Sequence, residues 1–202
     1  MGKVRTRPSR LLREQHHVFG YASLVSDYAG EGVLARLRGY RRFFGVATDN
    51  TVAIPGYKMY LRRSDGVRPA VFVAFIDIDP DPHTAVNGLA RAVDPAQLEA
   101  LDSRERNYDR VDVSGEIDGV DGRVWTYRGS DEGRDRLRRG RAEGRAVVSR
   151  DYIEKVRAGY SQLGETEQRA FAESSDLDDL PVWDLERLNL PADAPAPREV
   201  AV

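Results

Sequence analysis

Cysteine is absent from the 202 residues, which excludes disulfides, thiol nucleophiles and thiolate metal sites together. Histidine occurs only at His16, His17 and His83. No His-x-x-x-His or carboxylate-rich ligand spacing accompanies them, so no metal site is indicated, and His16-His17 reads as the start of a strand. Lysine is nearly missing as well, at Lys3, Lys58 and Lys155 only, with arginine making up the rest of the 31 basic residues. We read that bias as nucleotide composition rather than binding. A Gly-rich phosphate loop and a Gly-x-Ser-x-Gly nucleophile elbow are both lacking. No apolar run reaches the length of a membrane span, and no signal-peptide core follows the start. The expectation is therefore a cytoplasmic protein without a membrane partner. The net charge of −2 supplies no global field towards nucleic acid, and none is expected as a partner.

What is present suits one domain with tails, since 41% of residues are apolar, enough for a core at this length. Residues 1–14 form a basic tail. Met1-Gly2-Lys3-Val4-Arg5-Thr6 formally fits a myristoylation signal, but a frayed, solvated end is the expectation. The domain spans 15–175, and 176–202 is an acidic, then Pro/Ala-rich tail in which Leu180–Leu190, with Trp183, docks on the domain while 191–202 is disordered.

Within the domain, Val18–Tyr21 reads as a short buried strand. Val33–Thr48 alternates apolar and basic residues, which predicts a half-buried strand with its arginines on the wet face. A further strand falls in Ala53–Arg63. Pro69–Asp79 is the most apolar run, a strand buried on both faces or lining a barrel. Pro80-Asp81-Pro82 is expected to break it, and Thr84–Val93 restarts as a strand with a close backbone approach or bulge at Gly88. Asp94-Pro95-Ala96-Gln97 carries N-cap, N1 and N3 residues of a capping box, opening a short helix with Leu98 and Leu101 on its inner face. Strands at Tyr108–Val113 and Arg123–Arg128 pair across a turn at Gly119–Gly122. The segment 129–145 is an arginine-rich charged insertion whose glycines argue against a continuous helix, and it is expected to be a solvated arm. Ser149 caps a helix over Arg150–Leu163, ended by Gly164, and a shorter helix covers Glu165–Glu173.

Two stretches carry chemistry. V-F-G-Y-A-S-L at Val18–Leu24 is an apolar strand running into small residues, a place where consecutive backbone N–H groups can face an anion or oxyanion. L-D-S-R-E-R-N-Y-D-R at Leu101–Arg110 sets Glu105 at a helix–strand junction before Tyr108. A carboxyl in a partly dry cavity there is suited to proton transfer near neutral pH.

Together these stretches resemble the γ-glutamylcyclotransferase family (the AIG2-like and ChaC-like group), whose marks are a Tyr-Gly-Ser-Leu type loop and a Leu-Asp-x-x-Glu-x-x-Tyr segment downstream. The resemblance covers about residues 17–165 and includes Trp125-Thr126-Tyr127 and Ser149-x-x-Tyr152. Leu37-Arg38-Gly39-Tyr40-Arg41-Arg42-Phe43 is similar to a segment of the glutathione-degrading branch. It implies an α+β fold, a small mixed β-barrel, closed or nearly closed, with flanking helices. It also implies a cofactor-independent enzyme that cyclises a γ-glutamyl amide to 5-oxoproline and releases the amine. Glu105 corresponds to the catalytic glutamate; Tyr21, Ala22, Ser23 and Leu24 to the substrate-holding loop; Tyr108 and Tyr127 to aromatic positions near the substrate. Where the family has glycine after the loop tyrosine, this chain has Ala22. If the position needs a positive φ, alanine costs on the order of 1 kcal/mol.

Two other readings compete: a non-catalytic relative that binds a γ-glutamyl-like ligand, and an interaction or RNA-associated protein using 129–145 and the Tyr40–Phe44 stripe. The leaving group and the oligomeric state are not encoded in any motif.

Overall fold

The computed structural model describes residues 15–177 and 180–191; the basic tail at 1–14 with its myristoylation match, and 192–202, lie outside the described residues. In chain order the elements are β1 (His16–Gly20), α1 (Ser23–Tyr28), β2 (Val33–Asp49), β3 (Lys58–Arg62), β4 (Phe72–Val93), α2 (Pro95–Arg104), β5 (Tyr108–Asp112) and β6 (Ile117–Asp118). They continue with β7 (Arg123–Gly129), α3 (Asp131–Ala142), β8 (Ala146–Ser149), α4 (Arg150–Gln162), α5 (Glu165–Glu173), β9 (Ser175–Asp176), β10 (Val182–Trp183) and β11 (Leu185–Asn189). No described helix is long and apolar enough to cross a membrane.

The long antiparallel pair β2–β4 is the frame. The main sheet runs β10-β8-β4-β1-β7-β5, with β2 on β4 and the short β6 and β9 on β2. Parallel pairs (β1–β7, β4–β8) mix with antiparallel ones (β1–β4, β5–β7). The path ends on β10 and β5 without returning to itself, so the expected α+β barrel is nearly closed rather than closed. Its core holds Phe19, Leu37, Ile76, Ile78, Val86, Val124 and, from the helices, Val25, Val156 and Tyr160. A second, small sheet pairs β11 with β3, and Leu185 packs there with Tyr60, Phe75 and Val147.

Local chemistry explains most boundaries. The Asp94 carboxylate accepts from Gln97 N at 2.8 Å and the Gln97 side chain accepts from Asp94 N at 3.0 Å, the capping box that starts α2. Gly88 permits the crossing of β1 and β4: a Cβ there would lie 2.2 Å from the Gly20 carbonyl oxygen. Gly164, with φ 93°, separates α4 from α5.

The wet-face expectation for β2 fails at Arg42. The register slips between Arg38 and Tyr40, around Gly39 with φ 80°, a bulge that exchanges the inner and outer faces. Ala35 and Leu37 point inward before it, Arg42 and Phe44 after it, and Arg42 is fully buried. Nor do the prolines break β4. Pro80 pairs with Tyr40, the next partners are Ala85 and Arg38, and Asp81 fastens the excursion between them by accepting from His83 N and the Thr84 hydroxyl. Proline is tolerated at such bulges because no ladder N–H is needed there.

The charged insertion is not a solvated arm. Residues 131–142 form α3, with Ser130 as N-cap accepting from Gly133 N at 3.1 Å. Gly133 and Gly140 are its contact face: a Cβ on the first would meet the Asn107 carbonyl oxygen at 2.6 Å, on the second Phe72 Cβ at 2.6 Å. Two of its arginines are spent inside the molecule, while Arg138, Arg139 and Arg141 face solvent. Arg134 lies 2.8 Å from the buried Asp77 carboxylate, and Arg136 donates to the Ala47 carbonyl and the Asn107 side chain. Ser149 does precede α4, but its side chain makes no capping bond; its hydroxyl turns to the Leu185 carbonyl of β11 instead.

Candidate active site

One cavity of about 300 Å³ collects the expected residues: Tyr21, Ala22, Ser23, Leu24, Glu105, Tyr108 and Tyr127 all line it. Three structural facts bring them there. The loop leaves the end of β1 and turns at once into α1, whose Val25 N–H bonds back to the Ala22 carbonyl at 3.0 Å, while the N–H groups of Ser23 and Leu24 precede any intrahelical acceptor. Glu105 is the C-cap of α2, its N–H bonded to the Leu101 carbonyl and its own carbonyl accepting from Tyr108 N at 2.9 Å. Tyr127 lies on β7 beside β1 and β5.

The Glu105 side chain is 18% exposed, with Oε1 3.0 Å from Arg104 Nε. Arg104 in turn pairs with Asp27 of α1 at 3.0 Å, which ties the end of α2 to the helix that follows the loop. The aromatic wall is anchored by its hydroxyls. Tyr21 donates to the Tyr127 carbonyl at 2.7 Å, Tyr127 to Asp102 at 2.8 Å and Tyr108 to the Ile76 carbonyl at 2.8 Å, while the Tyr152 hydroxyl accepts from Ile76 N at 3.0 Å. Burial pushes all four phenols well above their ordinary value of 10. They stay protonated at neutral pH, so they position and donate and do not serve as bases.

Ala22 adopts φ −137°, and no described non-glycine residue has a positive φ. The alanine therefore introduces no left-handed strain. Behind the loop, Arg42 donates through Nε to the Tyr21 carbonyl at 2.8 Å.

The cavity also holds residues that sequence reasoning missed: Phe75, Tyr152, Tyr57, Lys58, Arg187 and Asn189. Tyr152 lay within the resembling Ser149-x-x-Tyr152 stretch without being assigned to the site. Lys58 carried one signal, being one of three lysines in an arginine-rich chain. Arg187 and Asn189 reach the site only because β11 pairs with β3, opposing Asn189 to Lys58 and Arg187 to Tyr60. No group of three or more His, Asp or Glu side chains suited to a metal ion occurs among the described residues.

The family model described as gamma-glutamyl cyclotransferase, AIG2-like, matches residues 18–152. The chain belongs to this family. Every site residue expected from the cyclotransferase resemblance falls inside the matched segment, whereas β11 lies beyond it. A search of curated proteins finds no match. Among solved structures, similarity is found to one described as gamma-glutamyl cyclotransferase, at 13% identity over 82% of this chain and 90% of that one, TM-score 0.46. A human protein described as uncharacterized shares 16% identity over 82% and 90% of the two chains, TM-score 0.48. A yeast γ-glutamyl cyclotransferase described as specific to glutathione shares 12% over 80% and 97%, TM-score 0.45.

Proposed function

We propose that this family member is an active γ-glutamylcyclotransferase, taking a γ-glutamyl amide such as glutathione, a γ-glutamyl amino acid or a γ-glutamyl amine. The observation that carries the reading is the convergence of Glu105 and the Tyr21–Leu24 loop on one cavity with Tyr108, Tyr127 and Tyr152 in its wall.

The chemistry needs few parts because the nucleophile is the substrate's own α-amine. Glu105 takes a proton from the α-ammonium. The freed amine attacks the γ-carbonyl carbon, and the tetrahedral oxyanion is held by backbone N–H groups of the loop. The C–N bond to the leaving amine breaks as Glu105 returns that proton to the leaving nitrogen, and the carboxylate so freed takes the second proton, which the ring nitrogen carries after the attack and sheds to become the lactam N–H, and hands it to the departing amine. The products are 5-oxoproline and a free amine, with no water consumed and no redox change. The bond hydroxyls of the tyrosines fix the walls, so the five-membered ring closes from a constrained conformer.

The test is 5-oxoproline release from a panel of γ-glutamyl compounds by wild type and Glu105→Gln. The variant keeps the shape and removes the titrating group, so kcat is expected to fall by about 10²- to 10⁴-fold. Equal release by both proteins removes Glu105 from the mechanism, and no release from any compound favours the ligand-binding relative.

A further inference from the structure

The lysines at 58 and 155 sit in opposite settings. Lys155 is exposed on α4, its ammonium 2.5 Å from the Asp27 carboxylate. Lys58 lies on β3, in the wall of the cavity. Its Nζ stands 3.8 Å from the Phe75 ring centroid and 5.2 Å from that of Tyr57, two rings of the same lining. Among the described residues it has neither a carboxylate at salt-bridge distance nor a hydrogen-bond acceptor.

The ring faces attract an ammonium but replace neither its hydration nor a counterion. Burial therefore pulls Lys58 down to about 7; Glu105 opposes the shift, and Arg187 and Arg104 add to it. Near neutral pH roughly half of this side chain is a free amine, against about one part in a few thousand for an ordinary lysine. The cyclisation has no use for that amine, because Glu105 moves the protons and the loop holds the oxyanion.

A desolvated lysine beside other cations is a nucleophile towards carbonyl carbon. The neighbouring strand supplies an anion receptor. Asn189 opposes Lys58 in the β3–β11 register, and Arg187, two residues before it, shares its face and is a diagonal neighbour of Lys58. Arg187 lines the same cavity, is exposed, and has no carboxylate partner among the described residues. Its Nε donates to the Asn189 side chain at 3.2 Å, which orients the guanidinium.

We infer that Lys58 is a covalent site for small 2-oxo acids, which it binds as an imine while Arg187 receives the carboxylate. The amine nitrogen attacks the carbonyl carbon and forms the C–N bond, and the carbonyl oxygen becomes a hydroxyl. That oxygen leaves as water, carrying both protons of the amine, as the C=N bond forms; nothing is oxidised or reduced. The adduct occupies the cavity that Glu105 and the loop share, so it excludes any other ligand from that space.

The test treats the folded protein near neutral pH with glyoxylate or acetaldehyde and cyanoborohydride, which reduces an imine where it forms. Peptide mass mapping then locates carboxymethyl-lysine or ethyl-lysine. Lys58 is expected to take the carboxymethyl label about 10- to 100-fold faster than Lys155, the excess shrinking towards about pH 10, where lysine amines are largely free. The glyoxylate-to-acetaldehyde ratio is expected to be higher at Lys58 than at Lys155, and Arg187→Gln, an exposed change, lowers it. Equal labelling of the two lysines overturns the inference. The same ratio at both lysines overturns the part given to Arg187, and with it the choice of 2-oxo acids over simple aldehydes. The label is read without turnover, so either result stands whether or not the protein cyclises γ-glutamyl amides.

Discussion

Arg42 is the residue whose removal should be felt both in stability and in the site. Its guanidinium is fully buried between the rings of Phe171 and Tyr160, 4.8 and 5.2 Å from their centroids. It donates to the Tyr21 carbonyl at 2.8 Å, the Ser174 hydroxyl at 2.6 Å, the Asn87 side-chain oxygen at 2.9 Å and the Tyr160 hydroxyl at 2.7 Å. In Arg42→Met the Tyr160 hydroxyl is left 2.9 Å from both the Tyr21 and the Asn87 carbonyls, but it has one proton and serves only one of them. The other carbonyl and the Asn87 side-chain oxygen become buried acceptors without donors, each costing about 1–3 kcal/mol. Relief of the desolvated charge returns part of that, so the net loss is about 2–4 kcal/mol.

Urea unfolding followed by circular dichroism measures this as a drop in midpoint at unchanged slope. The second readout is kinetic. The carbonyl released is that of Tyr21, the first residue of the substrate loop, so the folded variant is expected to show a raised KM for γ-glutamyl compounds at temperatures well below its unfolding. A variant within about 0.5 kcal/mol of wild type refutes the accounting of buried acceptors. A full stability loss with unaltered KM refutes the link from Arg42 to the loop.

Two further outcomes follow from packing and charge. Gly133→Ala and Gly140→Ala are each expected to destabilise by about 1–3 kcal/mol through overpacking, whereas a solvated helix would gain about 1 kcal/mol from the same change; calorimetric unfolding distinguishes the signs. The Glu167 carboxyl, buried yet held 2.7 Å from Arg36 and accepting from Asn87, is subject to a burial effect that raises its pKa, but these partners outweigh it and bring it below 4.5. A depressed folded pKa gives stability that is present above the unfolded value and lost as pH falls through the folded one, so acid titration of stability should be shallower below pH 4.5 in Glu167→Gln than in wild type.

The parts of the fold that could be read from sequence are those whose signal is local. The capping box at Asp94–Gln97, the glycine stop at Gly164 and the strand-to-loop change at Tyr21 each describe chemistry settled within a few residues, and α2 and α5 follow with their boundaries nearly intact. The failures share a cause. Gly133 and Gly140 read as helix breakers because a glycine's low propensity is visible in sequence while the wall it packs on is not. The inward turn of Arg42 depends on a bulge at Gly39 that a strict period-two pattern cannot register. Pro80 and Pro82 mark a break only if β2 is assumed not to accommodate the excursion between its own Arg38 and Tyr40.

The candidate site divides along the same line. The loop and Glu105 are reachable from sequence because each is fixed by its own element, β1 running into α1 and α2 ending at its C-cap. The β3–β11 lining is not, since Lys58 and Asn189 are opposed by a pairing across most of the chain, and nothing near either residue announces it. This separation has a chemical consequence under the proposed reaction. Proton transfer and oxyanion binding belong to the segment shared with the family, residues 18–152, while Arg187 and Asn189 come from a strand outside it. A change in β11 can therefore alter that part of the lining without moving Glu105 or the loop.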